Sequence, residues 1–185
     1  MIGQEIQDAL NAQINAELYS AYLYLSMSAY FDHQGLKGFA NWMRVQWREE
    51  LFHATKMIGF VQDRGGRVLL SPVAGPPTEW DSPLAAFKQT AEHEYNVTSR
   101  INDLVDLAIQ ESDHATSGFL RWYVDEQVEE ESSADTVIQK LKIVGETGPG
   151  LFLLDKDLAR RVFTSPAASG GWQRIERTGR SNNRK

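Results

Sequence analysis

The sequence predicts an all-α protein, a four-helix bundle with one long crossover and a short fifth helix near the C-terminus. Three observations predict it. Four stretches carry apolar residues at spacings of three and four, the repeat of a single helical face. Two of the joins between them are short, one around Gly35 and one around Ser112-Asp113. The remaining join, residues 65–82, holds Gly65, Gly66, Pro72, Gly75, Pro76 and Pro77, which excludes a long helix there.

The first helix is marked by Ile6, Leu10, Ile14, Ala21 and Tyr24, and Gly35 ends it. The second runs from Leu36 through Phe39/Ala40, Met43, Trp47, Ala54, Met57/Ile58 and Val61 to a stop at Gly65-Gly66. Their short join lays the two antiparallel. Ser82-Pro83 reads as an N-cap followed by proline at the first helical position. A third helix follows through Leu84, Phe87, Ala91, Thr98, Ile101, Val105 and Ala108, and a fourth through Phe119/Leu120, Tyr123, Ala134, Val137/Ile138 and Leu141. Gly145 and Gly148-Pro149 bracket another stop, and a short apolar helix is expected over 151–163.

Each long helix covers roughly 28 residues, or ~42 Å at ~1.5 Å per residue. An extended 65–82 segment could span ~60 Å at ~3.3 Å per residue, enough to run the full length of a bundle. Two helical hairpins joined by one crossover are therefore expected, forming a domain over 1–163. Residues 164–185 carry Arg174, Arg177, Arg180, Arg184 and Lys185 against a single acid, Glu176. They read as a basic, disordered tail, with a basic interaction segment as the sharper alternative.

Composition narrows the partners. The 185 residues are 42% hydrophobic and 24% charged, ordinary for one globular domain with a real core. The absence of cysteine excludes disulfides, cysteine zinc sites and cysteine-ligated iron–sulfur clusters. Met1-Ile2-Gly3-Gln4-Glu5 has neither a basic n-region nor an apolar h-region, so no secretory signal is expected and a cytoplasmic location is. No apolar run approaches the ~20 residues of a membrane helix. The net charge of -6 argues against nucleic acid as the main partner and suits the attraction of cations.

The chemistry lies in what interrupts the apolar stripes. They read Leu10, Ile14, Glu17, Ala21, Tyr24; Met43, Trp47, Glu50, Ala54, Met57; Phe87, Ala91, Glu94, Thr98, Ile101; and Tyr123, Gln127, Glu130, Ala134, Val137. Each helix points an acid inward at about mid-length, and His53 shares the face of Glu50 three residues on. A single such acid is usually a boundary residue that reaches water. Four at matched depth would each carry several kcal/mol of ion-burial penalty unless cations satisfied them. Mostly carboxylate oxygens with one imidazole fit a hard ion such as iron or manganese rather than structural zinc or calcium. One glutamate reaching both ions, with Glu50 the candidate, would hold them roughly 3.5–4 Å apart.

At these residues the chain resembles the non-haem ferritins of archaea and bacteria. The stretches that carry the resemblance are Asn15-Ala16-Glu17-Leu18-Tyr19-Ser20-Ala21-Tyr22, Trp47-Arg48-Glu49-Glu50-Leu51-Phe52-His53, Glu92-His93-Glu94 and the run from Trp122 to Glu131. The four-helix glutamate pattern is the one known for ferritin-like diiron bundles. The resemblance implies that Glu17, Glu50 and His53 bind a first iron, and that Glu50, Glu94 and Glu130 bind a second with Gln127 close by. It likewise implies a third iron site at Glu49, Glu126, Glu129 and Glu130, an electron donor in Tyr24, and Trp122 near the same centre. Leu51 stands where bacterioferritins carry a haem-binding methionine, and Gln127-x-x-Glu130 replaces their fourth-helix Glu-x-x-His, so no haem is expected.

The activity implied is that of a ferroxidase: Fe(II) oxidised by dioxygen at a dinuclear centre and stored as ferric oxo-hydroxide. The partners implied are Fe(II), dioxygen and further copies of the chain, in a shell of about 24 subunits. The alternative is a diiron-carboxylate oxidoreductase acting on another substrate, which would need a pocket beside the metals. Less weighty are a shell subunit without oxidation activity and a helical interaction module. His33, His93 and His114 have blander roles, with His93 facing solvent or lying behind the ligands.

Overall fold

The computed structural model describes residues 1–145 and 147–164. Its elements are α1 (Gln4–His33), α2 (Lys37–Asp63), α3 (Pro83–Gln110), α4 (His114–Val144) and α5 (Gly148–Leu158). The expected tail beyond residue 164 lies outside the described residues. No helix among those described is long and apolar enough to cross a membrane.

Local chemistry places the ends of these helices. Gly35 adopts φ 78°, a left-handed conformation that reverses the chain after α1 while the Leu36 N–H returns to Phe31 O at 3.0 Å. The expected cap at Ser82 forms: its side chain accepts from Ala85 N at 3.1 Å, and Pro83 opens α3. Asp113 caps α4 through Thr116 N and is clamped by Arg64 from the end of α2 at 3.0 Å. The fifth helix departs from its expected bounds of 151–163. It begins at Gly148 and ends at Leu158, because Pro149 opens the helix instead of closing a stop.

The crossover rises along α1 on a ladder of side-chain bonds. Gln7 accepts from Arg67 N, Asn11 bonds Arg67 O and Leu69 N, Asn15 donates to Ser71 O, Ser26 to Pro77 O, and Tyr30 to Trp80 O. It thus climbs from one end of the bundle to the other, and α3 starts where α1 finishes. Helices α1 and α4 run one way, α2 and α3 the other.

Two apolar cores result, one towards each end. The first holds Leu23, Met27, Phe31, Phe39, Met43, Phe87, Val137 and Leu141. The second holds Ile6, Leu10, Ile14, Met57, Ile101, Leu120 and Tyr123. Every long helix passes from one core to the other, and the inward acid sits at the crossing: Glu17 between Ile14 and Leu23, Glu50 between Met43 and Met57, Glu94 between Ala91 and Val97, Glu130 between Tyr123 and Ala134.

α5 lies along the first half of α2. Leu154 and Leu158 are buried there, while Phe152 and Leu153 stay exposed. Asp155 accepts from the backbone N–H groups of Gly38 at 2.7 Å and Phe39 at 3.1 Å, two of the unsatisfied donors at the α2 N-terminus. One face of this short helix is thus spent within the chain.

Candidate metal centre

Glu17, Glu50, Glu94 and Glu130 are all buried in the belt between the two cores, together with His53 and Gln127. One potential ligand atom each from Glu17, Glu50 and His53 lies within 4.8 Å of the others. A second such group, also within 4.8 Å, is His53, Glu126 and Glu130, so His53 is common to both. His53 Nδ1 faces Glu50 Oε2 at 3.5 Å and Glu17 Oε2 at 3.8 Å. Edge-on rings of Trp122 and Tyr123 hold the imidazole, and the Tyr123 hydroxyl donates to His53 O at 2.9 Å.

Glu94 enters from α3. It accepts a hydrogen bond from the Tyr24 hydroxyl, and Gln127 Nε2 donates to its Oε2 at 3.2 Å. The expected third-site residues divide. Glu126 is half-buried and joins the second group, and Glu130 is in the belt. Glu129 is exposed and belongs to neither group. Glu49 is half-buried and is taken by Arg161 at 2.5 Å. His93 bonds Ser20 Oγ at 2.8 Å and meets Tyr24 edge-on, behind the carboxylates.

Residues that the sequence reading missed complete the belt. Gln13 donates from Nε2 to Glu17 Oε1 at 2.8 Å and accepts at Oε1 from Arg100 Nε at 2.9 Å. Gln46 donates from Nε2 to Glu130 Oε2 at 2.6 Å and Glu50 Oε1 at 3.4 Å, and accepts from Arg161 Nη1 at 2.8 Å. A signal for the two glutamines existed: each stands four residues before an inward glutamate, Gln13-x-x-x-Glu17 and Gln46-x-x-x-Glu50, on the same helical face. Arg100 and Arg161 arrive from α3 and from beyond α5, and no local pattern marks them.

The electrostatics follow from crowding acids in a dry belt. Burial pushes Glu50 well above the ordinary carboxylate range; His53 pulls against it, while Glu94 and Glu17 push further. Burial also opposes ionisation of Glu17, but His53 outweighs it and leaves this carboxyl below its usual value. His53 is held well above the ordinary imidazole value despite burial, because Glu17 and Glu50 favour the imidazolium. Burial and then Glu130 raise Glu94 to about 8. Glu49 rises to about 7 through burial, opposed by Arg161 and aided by Glu130.

Among the described residues, Glu17 Oε2 is the buried side-chain polar atom without a hydrogen-bond partner. A buried carboxylate oxygen left bare beside a second carboxylate and an imidazole is a donor set suited to a divalent cation. A cation there would take Glu17 Oε2, displace the proton from His53 and reverse the repulsion among the acids. The residues present therefore fit a metal.

Comparison with known proteins gives the same architecture. The ferritin-like domain family matches residues 7–144. A bacterial non-heme ferritin of Bacteroides fragilis is 43% identical over 161 residues, covering 87% of this chain and all of that protein. One from Staphylococcus saprophyticus is 41% identical over 163 residues, covering 88% of this chain and 98% of the relative. An engineered closed form of the Archaeoglobus fulgidus ferritin superposes with a TM-score of 0.87 at 62% identity, covering 89% of this chain and 100% of the other. The open-pore ferritin of that hyperthermophilic archaeon gives 0.86 at 61% identity, covering 88% and 100%.

Proposed function

This chain belongs to the ferritin family, and from that membership we propose that it stores iron, oxidising Fe(II) with dioxygen at the carboxylate belt. Iron is substrate and cargo here. Glu17, Glu50 and His53 take one ferrous ion; Glu50, Glu94 and Glu130, with Gln127 beside them, take another. Glu126, in reach of His53 and Glu130, leads outward to a third site with Glu49 and Glu129. Ferric oxo-hydroxide then collects inside a shell of about 24 copies, the closed symmetric assembly expected of such subunits. No haem takes part.

The observation that carries this reading is the bare, buried Glu17 Oε2 beside Glu50 and His53. The chain's own contribution is binding, proximity and proton handling. His53 gives up its proton when a cation arrives, and protonated Glu50 and Glu94 do the same, so loading two ferrous ions releases protons to solvent. Tyr24, buried and hydrogen-bonded to Glu94, stands where a phenol can supply an electron. A reaction on a larger organic substrate finds little support, since Trp122 and Tyr123 fill the space around His53.

The test is Glu50→Ala. Stopped-flow mixing of Fe(II) with air-saturated protein should show the fast oxidation phase abolished, with the assembly unchanged in sedimentation. Wild-type oxidation kinetics in that variant would overturn the site as drawn.

A further inference from the structure

The two glutamines that touch the carboxylates are each backed by an arginine, and the two arrangements are alike. Arg100 Nε donates to Gln13 Oε1 at 2.9 Å, and Gln13 Nε2 donates to Glu17 Oε1 at 2.8 Å. Arg161 Nη1 donates to Gln46 Oε1 at 2.8 Å, and Gln46 Nε2 donates to Glu130 Oε2 at 2.6 Å and Glu50 Oε1 at 3.4 Å. Both glutamines are buried, Gln13 1% exposed and Gln46 0%.

A guanidinium only donates. The glutamine oxygen must therefore face the arginine, and the NH₂ group must face the acid. That choice has a consequence at the far end. Glu17 and Glu50 each have Oε1 occupied by a glutamine, and each presents Oε2 to His53 Nδ1. The bare oxygen in the belt is one of these two, Glu17 Oε2.

Neither arginine is loosely placed. Arg100 is also held by Ala12 O at 3.1 Å. Arg161 lies over the Trp42 ring at 4.3 Å, bonds Glu49, and has its own carbonyl bonded by Asn41 at 2.9 Å. Because α5 docks along α2 through Asp155, Arg161 is delivered to the level of Gln46.

We propose that Arg100–Gln13 and Arg161–Gln46 are two positioning relays, the first occupying one oxygen of Glu17, the second one oxygen of Glu130 and, more distantly, one of Glu50, and that they so leave the remaining oxygens for the cation. The glutamines touch the ligands but not the metal; Arg100 acts on the belt through Gln13, and Arg161 acts through Gln46 besides pairing with Glu49. The inference rests on the metal reading above and adds residues to it. It also gives α5 a task at the centre, since the second relay exists only while that helix is docked.

The test is a double-variant cycle read by metal affinity, because residues acting through one another are not additive. Cobalt(II) is titrated anaerobically into the assembled protein, following heat and visible absorption. Gln13→Ala should weaken uptake at the Glu17 site roughly tenfold, as losing a ligand's supporting hydrogen bond does. Arg100→Gln, at an exposed residue, should weaken it less and shift the cobalt absorption. The double variant should bind no more weakly than Gln13→Ala alone. Gln13→Met, with similar volume and no donor, replaces alanine if that variant fails to assemble. Arg161→Gln and Gln46→Ala, made in a Glu49→Gln background, should repeat the pattern. Additive losses, or an Arg100→Gln protein indistinguishable from wild type, would overturn the relays and leave the metal centre standing. A wild-type protein that takes up no cobalt at the belt would overturn both.

Discussion

Glu94→Gln should make the metal-free protein more stable at neutral pH, by an amount that depends on pH. The carboxyl of Glu94 stands at about 8 against an ordinary 4.5, through burial and the nearby Glu130. Between those values the native state holds a proton that the unfolded chain has released. Stability then falls as pH rises, by up to ~1.4 kcal/mol per pH unit. At pH 7 the penalty is about 3 kcal/mol. Glutamine is never ionised, so the variant escapes it while still accepting from Tyr24. Rearranging the bond from Gln127 should return about 1 kcal/mol. A net gain of roughly 2 kcal/mol at pH 7 should grow towards pH 8, pass through zero near pH 5 and become a loss of about 1 kcal/mol below pH 4.5, where only the Gln127 rearrangement remains. Guanidinium denaturation with chelator present, at one fixed subunit concentration and across pH 4.5–8, measures this directly. Added cobalt(II) should reverse the order, since only the wild type keeps all its ligands. A variant less stable than wild type at pH 7, or a gain flat across pH, would refute the reasoning.

Two further outcomes concern the frame. Gly38→Ala would place a Cβ 1.6 Å from Asp155 O, a backbone atom that cannot swing aside. α5 should lift off α2, seen as lost amide-exchange protection over 148–158 and at Phe39 while the bundle stays protected. Asp113→Ala removes the α4 cap and the Arg64 clamp and should cost roughly 1–3 kcal/mol in chemical denaturation. Arg64 holds Asp113 at about 2 against an ordinary 3.8, so the wild-type advantage should be full above pH 3.8 and vanish as pH falls through 2.

The helices were legible because their signals are local. Gly35, Ser82-Pro83 and the apolar repeats act within a turn or two of themselves, and the structure places breaks and caps at those residues. The four inward glutamates were legible for the same reason, since a charge on an apolar stripe is visible in one dimension. Their exact neighbours were not. That His53 is common to both groups, and that Glu49 is taken by Arg161, depends on side chains as much as 112 residues apart. Glu129 illustrates the limit of a motif. It lies in the same acidic run as Glu126 and Glu130, yet helical phase turns it outward. α5 was misjudged because Pro149 serves equally to end one helix and begin the next.

The position of the belt says why so costly a cluster is tolerated. A bundle this long needs no polar layer; apolar residues at those four levels would join the two cores and raise stability. The polar layer instead interrupts the core between the two apolar clusters, and glutamines backed by arginines are hydrogen-bonded to its acids. Groups kept only for solubility would turn outward. Acids held inward against their own repulsion, with one oxygen left bare, make physical sense only for a cation that arrives later. The two end cores then hold the helices in register while the middle remains unsatisfied, and loading a metal should tighten the region that is weakest without it.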